Sequence, residues 1–564
     1  MASAPFRKIA DLDNQYHDDR VLKSYLERTL PDDVLRDIED DLASLGAITG
    51  GDLYDLQLRD RTNRPTLTQW GPHGERIDHI ELTDVWKRAL ELTAEYGLIA
   101  TPYEQKHGQY SRIHQMAMAH LLAPSTDMIS FLLATTDGAA RTLQQSGNQA
   151  LIDEAMPHLL SRSPDDLWTS GQWRTEQTGG SDLSRISTEA RREDGVWRLH
   201  GRKWFTPSSV VNIALVLAKP QRDDADDLAL FYLPIRTTGN GVAEGVSVNR
   251  LKDNLGTRKI PVSEIQLNGA VCRPVSSLSK GRLHLTGMVD RSRTWNAIIS
   301  VGYMRRGIAL ARDFGRKRKA FGTPIIEKPL HYDTMASMQS TYEGAFHLAF
   351  RLVELLGKQE AGTLTDEDQH LLRALTPIAK LTTAKQAVNV TGEVMEAFGG
   401  AGYVEETGVP SLLRDVYALP IWEGTTNVLS LVSLQALRRD GRLKALKNEL
   451  RRCADAVEAP ALQYAVDTAL TAFRNAVRWL AESLNESQET AEAGARRFAL
   501  TVGHALELAL LARHAQWSLG REGSRAAAVV EHFATQGIDF ISPRQHYDAY
   551  MLAQDRSTQS LFQM

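Results

Sequence analysis

Apolar residues recur at helical spacing along most of the chain, and one interior stretch breaks that rhythm. Val34, Leu35, Ile38, Leu42 and Leu45 follow Pro31-Asp32-Asp33 and precede Gly46, which predicts a capped amphipathic helix. Gly50-Gly51, Asn63-Arg64-Pro65 and Gly71-Pro72 break any period, so an irregular segment is expected from Ala47 to about Arg76. Helical spacing returns from Thr83-Asp84 through Trp86, Ala89, Leu90 and Thr93 to Gly97. It continues in the 110s to 150s, where Met128, Phe131 and Leu132 share an apolar face. Near Leu167 the period shortens to two. Val196 to Phe205 alternates, Asn212 to Lys219 is a short apolar run, and Leu228 to Ile235 and Ser263 to Leu267 complete a set of short strands. From Met288 the helical period resumes, with Trp295, Ile298, Ile299, Met304, Ile308 and Ala311 on a helix ending in the basic run Arg316 to Lys319. Further helices are expected from about His331 to Leu356, from the mid-360s to Glu396, and from Thr425 to Leu437. In the tail, Phe473, Val477, Leu480 and Leu484 form one face, while Phe498 to Leu519 is apolar nearly all round and should be buried.

The pattern divides the chain into a helical and irregular lead (1–75), an N-terminal α domain (76–166), a middle β domain (167–275), a helical domain (276–437) and a further helical extension (438–564). The fold class is therefore mainly α with a central β module. Composition adds little. The 564 residues are 42% hydrophobic and 24% charged with a net charge of −5, ordinary for a globular chain, and give no whole-chain argument for nucleic acid. Cys272 and Cys453 are the only cysteines, so no disulfide framework is implied and a reducing cytoplasm fits. The start lacks a long apolar run and nothing approaches 18 uninterrupted apolar residues, so neither secretion nor membrane spanning is expected. His107, His114 and His120 match no metal template, and no metal site is expected. Gly239 to Gly245 is glycine-rich but lies in no βαβ unit, which reads as a hairpin turn.

Candidate chemistry concentrates in Ala418 to Val428. One carboxylate, Glu423, stands between an apolar run and a Gly-Thr-Thr-Asn turn that opens an apolar helix, where free backbone N–H groups stabilise negative charge. Flanked by Ile421 and Trp422, it is expected to be withdrawn from water, as suits a general base. About two dozen residues earlier lies Phe398-Gly-Gly-Ala-Gly-Tyr403, followed by Leu413-Arg414-Asp415. Together these resemble the C-terminal signature of the acyl-CoA dehydrogenase family. The long lead, the helical tail and the Trp-Glu-Gly form of the motif resemble its AidB-like branch.

The resemblance implies a β-barrel or sandwich domain between an α-helical domain and a four-helix bundle. It also implies FAD as cofactor and α,β-dehydrogenation of an acyl thioester, with Glu423 as base and flavin N5 taking the β-hydride. Some relatives carry the base near what is here Ser292, and a serine there leaves Glu423 as the sole candidate. Arg174 to Asp182 matches the family's Thr-Glu loop, in which Thr175 would reach the flavin edge and Ser181 the pyrophosphate or CoA. Gln177 stands where the family has proline, which lessens the expected rigidity. Trp204, Phe205 and Thr206 match a strand whose Trp packs on the flavin and whose Thr hydroxyl faces N5. Arg318 and Phe321 match R-x-x-F-G, whose guanidinium fork suits a pyrophosphate held largely by a neighbouring subunit. Glu396, Gly399 and Gly400 match the segment near the adenylate, with Glu396 replacing a common Gln. Thr425 and Asn427 fill the cofactor positions after the base. Asp290 and Arg293 match the D-x-x-R contact to acyl-CoA, although Ser279 to Leu283 departs from the usual pattern, so the thioester carrier is CoA or a carrier protein.

A site shared across subunits implies a homo-oligomer, with a dimer of dimers as the expected form. The electron acceptor would be a partner such as electron-transfer flavoprotein. Three rivals stand beside this reading. A DNA-binding or regulatory AidB-like role would rest on Arg438, Arg439, Arg442, Lys444, Lys447, Arg451 and Arg452. It is the less favoured, because the span also holds Asp440 and Glu449 and a solvated helix face explains it better. A nitroalkane-type oxidase would carry an aspartate base. The third rival is a non-catalytic acyl-CoA-binding protein.

Overall fold

Strands gather where the sequence alternates. In the computed structural model, which describes residues 8–207, 209–221, 227–236, 242–439, 441–542 and 546–555, seven strands form one sheet. They run in the order Ser170–Trp173, Ile213–Pro220, Glu189–Glu193, Val196–Thr206, Ser263–Pro274 and Ala229–Pro234, with Val246–Leu251 pairing on Ser263–Pro274. Ala229–Pro234 also pairs with Ile213–Pro220, so five of the strands close on themselves. Closure explains why Ile213–Pro220 and Ala229–Pro234 read as unbroken apolar runs, because both are buried almost throughout. Ser170–Trp173, Glu189–Glu193 and Val246–Leu251 are absent from the sequence reading, being short and weakly alternating. Of the glycine-rich hairpin, residues 237–241 lie outside the described residues. Its flanks Arg236 and Val242 pair antiparallel.

The chain falls into two compact units. The first comprises Met1–Lys328, Leu356–Thr363 and Ala387–Glu423, and holds the sheet with the helices before it and the long helix Thr286–Lys317. Two expectations are corrected in its lead. Gly46 does not end the first long helix, which runs Asp32–Gly50; a Cβ at Gly46 would meet Tyr16 N at 2.6 Å, so this glycine permits close packing within the helix. Nor is 47–76 irregular: helix Asp52–Arg59 follows, then the antiparallel hairpin of Thr66–Trp70 and Arg76–Glu81, with Gly71-Pro72 in its turn and the other breakers at or between element ends. Deeper in, Arg112 pairs with Asp137 and Glu360 at 2.6 Å each, Arg291 joins Glu360 at 2.6 Å, and Trp295 Nε1 donates to Asp137 at 2.8 Å. Burial alone would raise the Asp137 carboxyl, but Arg112, Trp295 and Arg291 hold it below its ordinary range.

The second unit comprises Pro329–Leu355, Leu364–Gln386 and Gly424–Met564. Helices Pro460–Glu486, Gln488–Leu519 and Arg525–Thr535 close around Phe473, Leu480, Phe498, Leu506, Val530 and Phe533, so the tail buries the faces expected of it. Among the polar groups buried in this unit, Glu507 stands out. Glu507 is fully buried, accepts from Gln386 Nε2 at 2.9 Å, and is pushed well above the carboxylate range by burial. Among the described residues no helix is long and apolar enough to cross a membrane, and no cluster of three or more metal-binding side chains occurs. The architecture is mainly helical with a central β module and a helical C-terminal extension.

Candidate active site

Glu423 follows helix Val409–Val416 on a turn leading to helix Thr426–Leu437. Its backbone is left-handed, φ +58°, followed by Gly424 at φ +107°. A non-glycine residue pays roughly 1–2 kcal/mol for that conformation and persists only where its surroundings over-determine it. The surroundings do so here. Arg174 Nη2 donates to Glu423 Oε2 at 3.0 Å, and Arg293 Nε donates to the Glu423 carbonyl at 3.3 Å. Asn296 Nδ2 donates to the Leu419 carbonyl at 3.2 Å, fixing the turn's start. Trp422 lies on Phe131, ring centroids 3.7 Å apart. Glu423 is buried at 3% exposure, as expected, but by different neighbours: Ile421 is 64% exposed, and the carboxylate faces the Arg174 guanidinium.

The Thr-Glu loop is anchored by its glutamate. Glu176 accepts from the N–H and hydroxyl of Ser187 (2.7 and 2.6 Å), from those of Thr188 (3.1 and 2.6 Å), and from Lys203 Nζ at 2.8 Å. Burial opposes its charge, but Lys203 and the hydroxyls outweigh that and hold the carboxyl down at about 2. Glu176 therefore ties the loop to Ser187, Thr188 and Lys203 beside Gln177, the position where proline was expected. Trp204 N–H donates to the Thr175 carbonyl at 2.9 Å, joining this loop to the Val196–Thr206 strand. Thr175 is half-buried and Ser181 exposed. On the strand, Lys252 Nζ lies 3.6 Å from the Trp204 ring centroid and 4.7 Å from that of Phe205, which is 47% exposed. Thr206 departs from expectation. It is fully buried, and its hydroxyl bonds the Ser263 carbonyl (2.8 Å) and hydroxyl (2.7 Å) instead of facing open space.

Arg318 is exposed and leads into the two-strand hairpin of Lys319–Ala320 and Thr323–Pro324. At its tip Phe321 is 98% exposed with φ +51°, and Gly322 follows at φ +88°. Glu396, Gly399 and Gly400 are exposed, and a Cβ at either glycine would meet nothing within 4 Å. Asp290 is half-buried near the start of helix Thr286–Lys317. Arg293 was expected on acyl-CoA; the structure places its Nε on the backbone of Glu423. Ser292 is buried and carries no acid. In the second unit, Thr425 Oγ1 caps helix Thr426–Leu437 by accepting from Val428 N–H at 3.3 Å, which leaves its own O–H able to donate, and Asn427 is exposed. In the basic run, Arg452 is engaged by Glu449 (2.7 Å) and Glu367 (3.2 Å), and Arg438 by Gln488 (2.9 Å), so these two are less available to phosphates.

Arg174, Glu176, Lys203 and Lys252 are the site residues that sequence reasoning missed. Arg174 had a signal, a charge set directly between the apolar Trp173 and the Thr-Glu pair.

Known proteins carry the same arrangement of domains. The family described as Adaptive response protein AidB N-terminal domain matches residues 8–166. Acyl-CoA dehydrogenase, middle domain, matches 171–270, and Acyl-CoA dehydrogenase, C-terminal domain, matches 280–437. Acyl-CoA dehydrogenase family member 11 of Caenorhabditis elegans is 36% identical over 531 residues, 89% of this chain and 84% of that protein. AidB of Escherichia coli (strain K12) is 29% identical over 73% of this chain and 76% of its own. The crystal structure of C. elegans ACDH-11 in complex with C11-CoA superposes with a TM-score of 0.93 at 32% identity, covering 99% of this chain and 98% of that one. On this sequence and fold evidence, the chain belongs to the acyl-CoA dehydrogenase family, in its AidB-like branch.

Proposed function

We propose that the protein is an FAD-dependent acyl-CoA dehydrogenase in which Glu423 removes the α-proton of an acyl thioester. The observation that carries this reading is a buried carboxylate in a strained left-handed turn, held by one arginine at its side chain and by another at its carbonyl. Strain of that kind gathers where a side chain must be aimed. The α-proton of a thioester is too weakly acidic for a carboxylate unless donors meet the carbonyl oxygen as charge develops, and the backbone N–H of Glu423 is the donor this chain offers.

The surface fits a flavin dinucleotide. Gly399 and Gly400 leave room for close backbone approach to a nucleotide, and Arg318 presents an exposed guanidinium to phosphate. Thr175, Ser181, Trp204, Phe205 and Glu396 are the further residues that would hold it, whereas the Thr206 hydroxyl is already engaged by Ser263. When bound, FAD supplies the oxidant that accepts the β-hydride at N5. Glu423 takes the proton, Arg293 holds the backbone that positions it, and Asp290 with Ser181 addresses the thioester end. Phe321, held out in a strained tip, suits insertion against a second copy, which supports a site completed between subunits of a dimer or dimer of dimers. The C11-CoA complex of the C. elegans relative supports CoA as the carrier. An acceptor of the electron-transfer flavoprotein kind is what this reading calls for.

Anaerobic mixing of the yellow protein with a panel of acyl-CoAs, followed by absorbance, tests the reading. Oxidised-flavin absorbance should bleach. Glu423→Gln should keep its colour and slow bleaching by about 10²–10⁴-fold, the usual worth of a positioned base. Undiminished bleaching by that variant would remove Glu423 from the chemistry.

A further inference from the structure

We infer that Arg174 is a positioning residue for the base, holding one oxygen of the Glu423 carboxylate so that the other is presented to the substrate's α-carbon. The inference rests on the assignment of Glu423 as base. Arg174 is well placed to aim another group. Its chain is fixed on one side by strand Ser170–Trp173, and on the other by the Thr175 carbonyl, which accepts the Trp204 N–H at 2.9 Å. Glu176, two residues on, is tied to Ser187, Thr188 and Lys203. The guanidinium therefore projects from rigid backbone, as a positioning group must.

The carboxylate also feels the charge of the nearby Arg293 guanidinium, but Arg174 is hydrogen-bonded to it. Arg174 Nη2 donates to that carboxylate at 3.0 Å, on Oε2. Arg293 acts on the main-chain carbonyl and does not fix the side chain's torsions. The Glu423 side chain is 2% exposed and that of Arg174 20% exposed, so the pair is shielded from water while the guanidinium's outer edge remains open. With Oε2 engaged, Oε1 keeps its lone pairs for the proton. In the step itself, the α-C–H proton passes to Oε1. The electron pair it leaves would form the α,β double bond, bound FAD serving as the two-electron oxidant for the β-hydride. A guanidinium fork sets direction as well as charge, whereas an ammonium restores charge alone.

Full-length Arg174→Met, Arg174→Lys and Glu423→Gln proteins, loaded with FAD, are compared in anaerobic flavin reduction by undecanoyl-CoA and its α-deuterated form. In Arg174→Met the limiting rate should fall roughly 10- to 100-fold, the penalty of a misplaced reacting group. Its half-saturating substrate concentration should stay within about twofold and its α-deuterium isotope effect should rise, signatures of poorer proton abstraction. Arg174→Lys should recover part of the rate. Independently of turnover, Arg174→Met should lower the melting temperature when Glu423 is present and leave it unchanged in the Glu423→Gln background, because the lost partner matters only to a charge. A raised half-saturation with an unchanged rate would place Arg174 on the substrate and overturn the inference, as would wild-type behaviour throughout. If Arg174→Met does not fold, wild-type kinetics in Arg174→Lys would overturn it equally. Glu423→Gln separates the two levels. Full activity in that variant sinks the base assignment itself, while an inactive Glu423→Gln beside an unaffected Arg174→Met sinks only this inference.

Discussion

Asp415 shows how a single buried carboxyl can depend on pH apart from the candidate chemistry. It ends helix Val409–Val416, accepts from Thr257 N–H at 2.6 Å, and lines a cleft with Tyr54, Asp127, Arg258 and Arg414. Burial first, and then the neighbouring Asp127 carboxyl, push it above the ordinary carboxylate range. The folded state thus keeps a proton that the unfolded state has released, so stability falls as pH rises from the ordinary carboxylate range to the raised value. Asp415→Asn, which can still accept from Thr257, removes that penalty. Its melting temperature should exceed wild type at pH 8, and the gain should vanish by pH 4. An equal gain at both pH values would contradict the assignment. At the Glu423 turn, the sequence named the residue, but the sign of its surroundings was not legible. Ile421 is two positions away in the chain yet exposed, while the arginine that faces the carboxylate is 249 positions away.

At the scale of elements, the Thr-Glu loop depends on Glu176 as its anchor. The Glu176 carboxyl is held down at about 2, so its contribution is complete above the ordinary glutamate range and is lost as pH falls from about 4.5 towards 2. Glu176→Gln should cost about 2 kcal/mol at pH 6, the usual worth of hydrogen bonds to a charged group. The gap to wild type should close in melting curves taken towards pH 2. A gap that stays constant with pH would show that Glu176 is not held as an anion. Long helices were legible because their apolar period repeats many times: Thr286–Lys317 and Asp366–Ala397 lie where the spacing placed them. Short strands were not. Ser170–Trp173 is buried at all four positions and offers no alternation, and Glu189–Glu193 is mostly charged. Gly46 looked like a stop because a glycine after a periodic run usually is one, and only the chain packed against it reveals otherwise.

For the whole molecule, the expected assembly turns on an aromatic side chain with nowhere to go within its own chain. Phe321 is 98% exposed on a left-handed tip. An exposed bulky residue in a strained turn gains nothing for a monomer, whereas burial of such a ring against a second copy is worth about 1.5–3 kcal/mol per protomer. Phe321→Ser should therefore lower the oligomer's mass in light scattering at low concentration and release flavin on dilution, with the circular dichroism of the helices unchanged. An unaltered assembly with full flavin retention would overturn the shared-site reading.

The sequence by itself determined the order of the long helices around the main β module, the burial of the tail and the identity of the candidate base. Each depends on local periodicity or on motifs whose members lie close along the chain. Only the tertiary structure decided what those residues meet: a sheet closed by Ala229–Pro234 on Ile213–Pro220, a Thr206 hydroxyl engaged by Ser263, and Arg174 brought to Glu423. Such pairings are fixed when distant segments pack together, because close packing selects one mutual arrangement that no short window of sequence contains.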